Sequence, residues 1–148
     1  FFFSATMAAS VVGKCAHVRV SSVLNRNVKQ FGKKHLFDGK EDTCWNSDQG
    51  SPQWIEIEFQ TTLKLQELHI QFHGGFAGRE SCIVGIEVSG GEVKKLAEFY
   101  PEDVNSLQKF QIPGEPTVAY LKILFLNSTD FFGRITIYKL DIIGLEVS

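Results

Sequence analysis

Residues 34–59 read KHLFDGKEDTCWNSDQGSPQWIEIEF, from Lys34 to Phe59. Leu36-Phe37 leads into an Asp38-Gly39 turn pair. Asp bonds the backbone two residues on, and Gly accepts a positive φ. A short acidic loop with Glu41 and Asp42 follows, then Thr43-Cys44-Trp45 and a polar Gly/Pro loop. Trp54-Ile55-Glu56-Ile57-Glu58-Phe59 then alternates strictly, which sets Ile55, Ile57 and Phe59 on one face of a strand. A turn, a loop and an alternating strand in this order indicate β structure, and no catalytic constellation sits among them.

The pattern continues to the C-terminus. Leu63, Leu65, then Leu68, Ile70 and Phe72 predict a second strand, whose phase slips near Gln66 as at a β-bulge. Ile83 to Val88 and Val93 to Phe99 predict two more, joined by the turn residues Ser89-Gly90-Gly91. Leu107, Phe110 and Ile112 form a short strand that stops at Pro113. The apolar run Leu121 to Leu126 reads as a buried strand. Arg134 to Ile143 closes the set, with Ile135, Ile137, Leu140 and Ile142 inward. Strands recur every 10 to 15 residues, roughly, with no convincing amphipathic helix, so the class is an all-β antiparallel sandwich or barrel.

A chain of 148 residues is long enough for one domain with a real core. Its net charge of −2 implies no polyanion partner on the overall balance. The distribution is uneven. No acidic residue precedes Asp38, while Lys14, Arg19, Arg26, Lys29, Lys33 and Lys34 all do. The remainder holds nine basic residues against seventeen acidic ones. The basic stretch either docks on the domain's own acidic surface or contacts an acidic partner or nucleic acid. The first reading is favoured, because no basic run exceeds two residues.

Cys15, Cys44 and Cys82 are odd in number and scattered, a poor disulfide framework. With no Cys-x-x-Cys pair, no structural zinc site is expected. Reduced thiols fit a nuclear or cytosolic compartment. The first residues, FFFSATMAASVVGKCAHV, lack a positive n-region and read as a weak signal-peptide candidate at best. Met7 is the only methionine, and residues 1–6 read as sequence upstream of a natural start there. No apolar stretch of about 20 residues is present, so no membrane contact is expected.

The succession LFDG, Thr-x-Trp, PQWIEIEF, VGIEVS and GRITIYKLDIIG resembles the discoidin, or coagulation-factor C-type, domain. The resemblance spans Ser21 to Gly144 and implies a galactose-binding-like jelly roll. On that basis residues 15–148 are the domain, and residues 1–14 a poorly ordered extension. The words RVSSVLNRN, QFGKKHLFD, TCWNSDQG, FYPED, NSLQ and TDFFGR are similar to a small intracellular branch of the superfamily. That resemblance implies association with an orphan nuclear receptor, and repression of receptor-mediated transactivation by interference with receptor–DNA binding. It implies no direct readout of nucleic acid. A carbohydrate-binding module, or a docked subunit of a larger intracellular assembly, are the alternatives; glycan binding is not favoured, since it rests on fold analogy alone.

In relatives of this fold the loop after the LFDG turn often coordinates structural calcium. Asp38, Asp42 and Thr43 supply hard oxygen donors of the type calcium takes, which makes them a candidate weak site. Sugar-binding relatives commonly carry a glutamate five residues before the final strand's glycine. Here that position is Lys139, whose ammonium group repels a divalent cation, so no cofactor is expected. Trp45 and Trp54 are assigned to the core rather than to sugar stacking.

The candidate interaction surface is a set of loop-tip residues. These are Phe76 and Arg79 in GGFAGRES, and Asp130, Phe131, Phe132 and Arg134 in TDFFGR. Aromatic and Arg side chains dominate interface hot spots. The competing reading has one of the two adjacent phenylalanines plugging the end of the barrel.

Other features carry less. The glycines of Gly74-Gly75-Phe76-Ala77-Gly78 precede no helix, so they form a flexible loop rather than a phosphate cradle. His69 and His73 share a strand face about 13 Å apart, too far to ligate one metal. His17 and His35 are expected in solvent. Asn127-Ser128-Thr129 is a formal glycosylation sequon. Asp38, Glu41 and Asp42 crowd one loop instead of straddling a groove as glycosidase carboxylates do. No Gly-x-Ser-x-Gly, His-Glu-x-x-His or nucleotide-loop motif occurs, and an enzyme is not expected.

Overall fold

In the computed structural model, which describes residues 7–147, the alternation after Pro52 runs far beyond Phe59. Gln53–Phe72 forms one strand of 20 residues. Its odd-numbered residues face inward through Leu65, and its even-numbered ones from Leu68 onward. The change of phase is a register shift between Leu65 and Glu67, where the sequence placed a bulge. Chain order defines the other strands: β1 (Ala9–Ser10), β2 (Cys15–Val20), β3 (Trp45–Asn46), the long β4, β5 (Ser81–Glu87), β6 (Val93–Phe99), β7 (Leu107–Gln111), β8 (Thr117–Phe125) and β9 (Thr136–Glu146). One four-residue helix, α1 (Val28–Phe31), and three short 3-10 turns are the helical segments among the described residues.

β4 passes from one layer of the sandwich to the other. Its first half pairs with β2 and β8, its second half with β7 and β9. Leu63 is in register with both Val118 of β8 and Glu146 of β9, which marks the crossing. One layer is therefore β6-β5-β8-β4-β2, and the other is β7-β4-β9 with β1 and β3 along the far side of β9. Every pairing is antiparallel. This is the antiparallel jelly-roll sandwich expected from the sequence.

The two inner faces fill the space between them. Ile55, Ile57, Leu63, Leu65, Ile70, Ile123, Ile135 and Ile137 are buried completely. Phe72 and Phe125 meet edge-on with centroids 5.7 Å apart, and Phe99 joins them against Phe125 at 6.4 Å. Burying side chains of this size stabilises by about 1.5–3 kcal/mol each.

The sequence reading needs three corrections here. The two strands expected on either side of Gln60–Thr62 are one, because β4 stays extended as it crosses between layers, through a register break against β8 between Glu58 and Leu63. Ala9–Ser10 pairs with Ile143 and Gly144, and Val11 is buried. The N-terminal boundary thus moves ahead of residue 15, since β9 offers an edge for that segment to join; residues 1–6 lie outside the described ones. Trp45 is fully buried, as expected, with its indole N–H donating to the Ser22 carbonyl at 2.9 Å. Trp54 is not in the core. It is half-buried on the outer face of β4, with Lys122 4.4 Å and Arg19 5.8 Å from its ring.

Candidate functional site

The strand order brings four connections to one end of the sandwich. β4 enters at Gln53 opposite Phe125 and returns at Phe72 opposite Ile137. The loops 47–52, 73–80, 100–106 and 126–135 therefore share that end. Six residues singled out by the sequence lie on two of these loops.

Arg134 organises the last loop. Its backbone N–H and its Nε both donate to Asp130 Oδ2 at 3.1 Å. Partial burial pushes the Asp130 carboxyl up, and the hydrogen bonds from Arg134 more than reverse this and hold it below its ordinary value. The guanidinium carbon lies 5.5 Å from the Phe76 ring centroid and 5.6 Å from that of Phe132, within cation–π range. Gly133 sits at φ +87°, and a Cβ there would lie 2.6 Å from the Gly50 carbonyl oxygen, so the turn requires glycine.

Phe131 is 93% exposed and Phe132 55% exposed, their rings meeting edge-on at 5.2 Å. Neither plugs the barrel. Exposure of two adjacent aromatics without burial is the arrangement that needs an explanation. On the other side of Arg134, Phe76 lies 5.8 Å from the His73 ring, and His73 lies 5.6 Å from that of Tyr138. A hydrogen bond of 2.6 Å joins His73 Nδ1 to the Tyr138 hydroxyl. The result is an unbroken row from Tyr138 through His73, Phe76 and Arg134 to Phe132 and Phe131. Sequence reasoning missed His73 and Tyr138. The signal for Tyr138 was its parity: it follows the inward Ile137 and must face out.

The glycine loop is tied down, contrary to expectation. Gly74 N–H donates to Asn105 Oδ1 and Gly75 N–H to Asp103 Oδ1, each at 2.7 Å, and Ala77 N–H donates to Thr129 Oγ1 at 3.0 Å. The sequon residues are similarly committed. Asn127 Oδ1 accepts from Glu80 N–H, Ser128 donates to the Arg134 carbonyl, and Thr129 donates to Asp103. These bonds hold the two aromatic loops against each other. Beside them is an open groove of about 630 Å³ lined by Arg79, Tyr100, Pro101, Asp103 and Asn127. Arg79 is exposed and makes no cation–π contact with Phe76 or Phe132, and its guanidinium has no hydrogen-bond or ion-pair partner among the described residues.

The first corner is built differently. Asp38 accepts from the Thr43 hydroxyl at 2.6 Å, from Lys40 N–H at 3.0 Å and from His35 Nδ1 at 3.2 Å. Partial burial pushes its carboxyl up, but the bonds from Thr43, Lys40 and His35 prevail and bring it down to about 2. His35 was expected in solvent. Its other ring nitrogen bonds the Lys29 carbonyl at 2.9 Å, which ties the corner to α1. The structure thus brings Asp38 and Thr43 together, and leaves Asp42 exposed outside their network. No group of three His, Cys, Asp or Glu side chains placed to hold a metal occurs among the described residues.

The three cysteines are free. Burial pushes the Cys15 thiol up to about 11 and raises those of Cys44 and Cys82. No helix of the described residues is long and apolar enough to cross a membrane.

The family model described as "NedA-like, galactose-binding domain" matches residues 35–123. The chain is 55% identical over 138 residues to a Xenopus laevis protein named nuclear receptor 2C2-associated protein, covering 93% of this chain and 100% of that one. The human protein of the same name is 54% identical over 129 residues, covering 87% and 91%. Among solved structures, the family 32 CBM from C. perfringens NanJ, in complex with galactose, superposes with a TM-score of 0.77 at 15% identity, covering 93% of this chain and 99% of that one. An F5/8 type C domain from Bacteroides fragilis gives 0.79 at 14% identity, covering 95% and 98%. At such identities the superpositions speak for the fold.

Proposed function

The chain belongs to the nuclear receptor 2C2-associated protein family, built on a galactose-binding-like domain, and from that membership we propose a non-catalytic module that associates with a nuclear receptor and weakens its hold on DNA. The relatives' shared name supports the partner. The observation that carries the mode of action is the exposed Phe131–Phe132 pair, backed by Arg134 in the grip of Asp130.

Large side chains held rigid at a protein's end can enter pockets on a partner with little ordering cost. Phe131, Phe132 and Phe76 supply the apolar contact, and Arg134 neutralised by Asp130 can be covered without leaving a lone charge. Arg79, at the groove, supplies a free guanidinium for a carboxylate or carbonyl of the receptor. The module covers receptor surface that DNA contact requires and reads no bases itself. This action takes place in the nucleus, needs no cofactor, and leaves the Asp38 corner in a purely structural role.

The test is the affinity of the purified protein for the purified receptor. Hot-spot aromatics contribute about 2 kcal/mol or more each, so Phe132→Ala should weaken binding by about 30-fold. Arg134→Ala should weaken it too. Undiminished affinity in a folded double variant removes the proposal. A signal on a glycan array, abolished by the same substitutions, would transfer the surface to carbohydrate binding.

A further inference from the structure

The basic stretch spends only half of its six cations on the domain. Lys14 pairs with Glu146, Arg19 pairs with Glu56, and Lys33 donates to the Val18 carbonyl. Arg26, Lys29 and Lys34 are exposed, and their side chains have no hydrogen-bond or ion-pair partner among the described residues. All three lie on the short helical corner between β2 and β3, a stretch with no acidic residue before Asp38.

Two further features mark this corner. Asn25 and Arg26 are consecutive non-glycine residues with φ of +54° and +56°. A left-handed Arg is disfavoured, and such strain concentrates at functional positions. Here it presents Arg26 outward ahead of α1, which Asn27 caps by accepting from Gln30 N–H. Between the cations, Val28 is 59% exposed.

The corner also adjoins the loop that carries Phe132. Asp48 N–H donates to the Ser22 hydroxyl, Ser22 donates to Gln53, Gln53 donates to the Gly50 carbonyl, and Gly50 N–H donates to the Phe132 carbonyl. We infer that this corner, with Arg26, Lys29 and Lys34 around Val28, is a docking site for an acidic, partly apolar segment of a partner protein.

Two observations favour such a peptide over nucleic acid. The exposed Val28 offers an apolar contact that a phosphate backbone does not use. The rest of the domain carries nine basic residues against seventeen acidic ones, so a duplex extending past the corner meets repulsion, whereas a short acidic segment does not. The inference stands apart from the receptor assignment, because its test needs no receptor.

The probe is a synthetic peptide rich in Glu and Leu, titrated into the unaltered full chain at low salt. Binding should fall steeply as salt rises. The combined variant Arg26→Glu, Lys29→Glu, Lys34→Glu should bind roughly tenfold more weakly or worse. Lys109→Glu, a control on β7, should leave affinity unchanged. An equal loss in the control, no binding at low salt, or tighter binding of random-sequence duplex DNA than of the peptide overturns the inference. Should the combined variant melt early, the salt titration decides: a flat response refutes the site and a falling one supports it.

Discussion

Replacing Asp38 with Asn separates a structural corner from a cation site. The side chain accepts from Thr43, Lys40 and His35, and these bonds favour the ionised form. A drop from 3.8 to about 2 corresponds to roughly 2.4 kcal/mol of coupling to folding. The group is partly open to water, which screens the interaction, so about 1 kcal/mol is the working figure. The folded-state pKa lies below the unfolded one. The stabilisation is therefore fully present above about pH 4 and lost as the pH falls through about 2. Urea unfolding at neutral pH should show Asp38→Asn about 1 kcal/mol less stable, with an unchanged m-value. From about pH 4 down through about 2 the gap between parent and variant should close, because the unfolded parent takes up a proton first and the folded parent follows. Added calcium should leave the parent's midpoint in place. A gap that persists at low pH would refute the electrostatic reasoning, and a calcium-dependent rise in stability abolished by the variant would restore the cation site.

The two tryptophans should behave oppositely. Trp45→Ala leaves a cavity and an unpaired Ser22 carbonyl, and should cost about 3–5 kcal/mol in chemical denaturation. Trp54→Ala loses a half-exposed ring and the Lys122 contact, at about 1 kcal/mol. The Cys15 thiol, pushed up to about 11, should react with iodoacetamide at pH 8 on the order of a hundredfold more slowly than a free thiol. Unfolding in denaturant should abolish the difference. Phe131→Ala should leave the melting temperature unchanged, because the ring is 93% exposed.

Much of the fold was legible because one face of each strand is dry. Ile55, Ile57 and Phe59 could not point elsewhere once the sandwich formed, and the slip at Gln66 was visible as two adjacent positions breaking the alternation. The union of the two halves of β4 was not legible. Gln60-Thr61-Thr62 is polar enough for a turn, and only pairing with β8 and β9 shows that the ladder continues. Trp54 was misassigned although its parity gave the answer: it shares the phase of Glu56 and Glu58, which face out. At the candidate site, residue type drew attention to Phe76, Arg79 and the Asp130–Arg134 loop. What could not be read was the assembly of Phe76, Phe131, Phe132 and Arg134 into one row, with Arg79 left outside it. That depends on Asp103, Asn105 and Thr129 binding the loops together, contacts between segments far apart in the chain.

The most direct measurement of the central claim is a gel shift with purified receptor, its DNA element and increasing amounts of this protein. The account requires the receptor–DNA band to fade with no band for this protein on DNA alone, and Phe132→Ala to need a much higher concentration for the same effect. A receptor–DNA band that stays at full intensity with excess folded protein would contradict it.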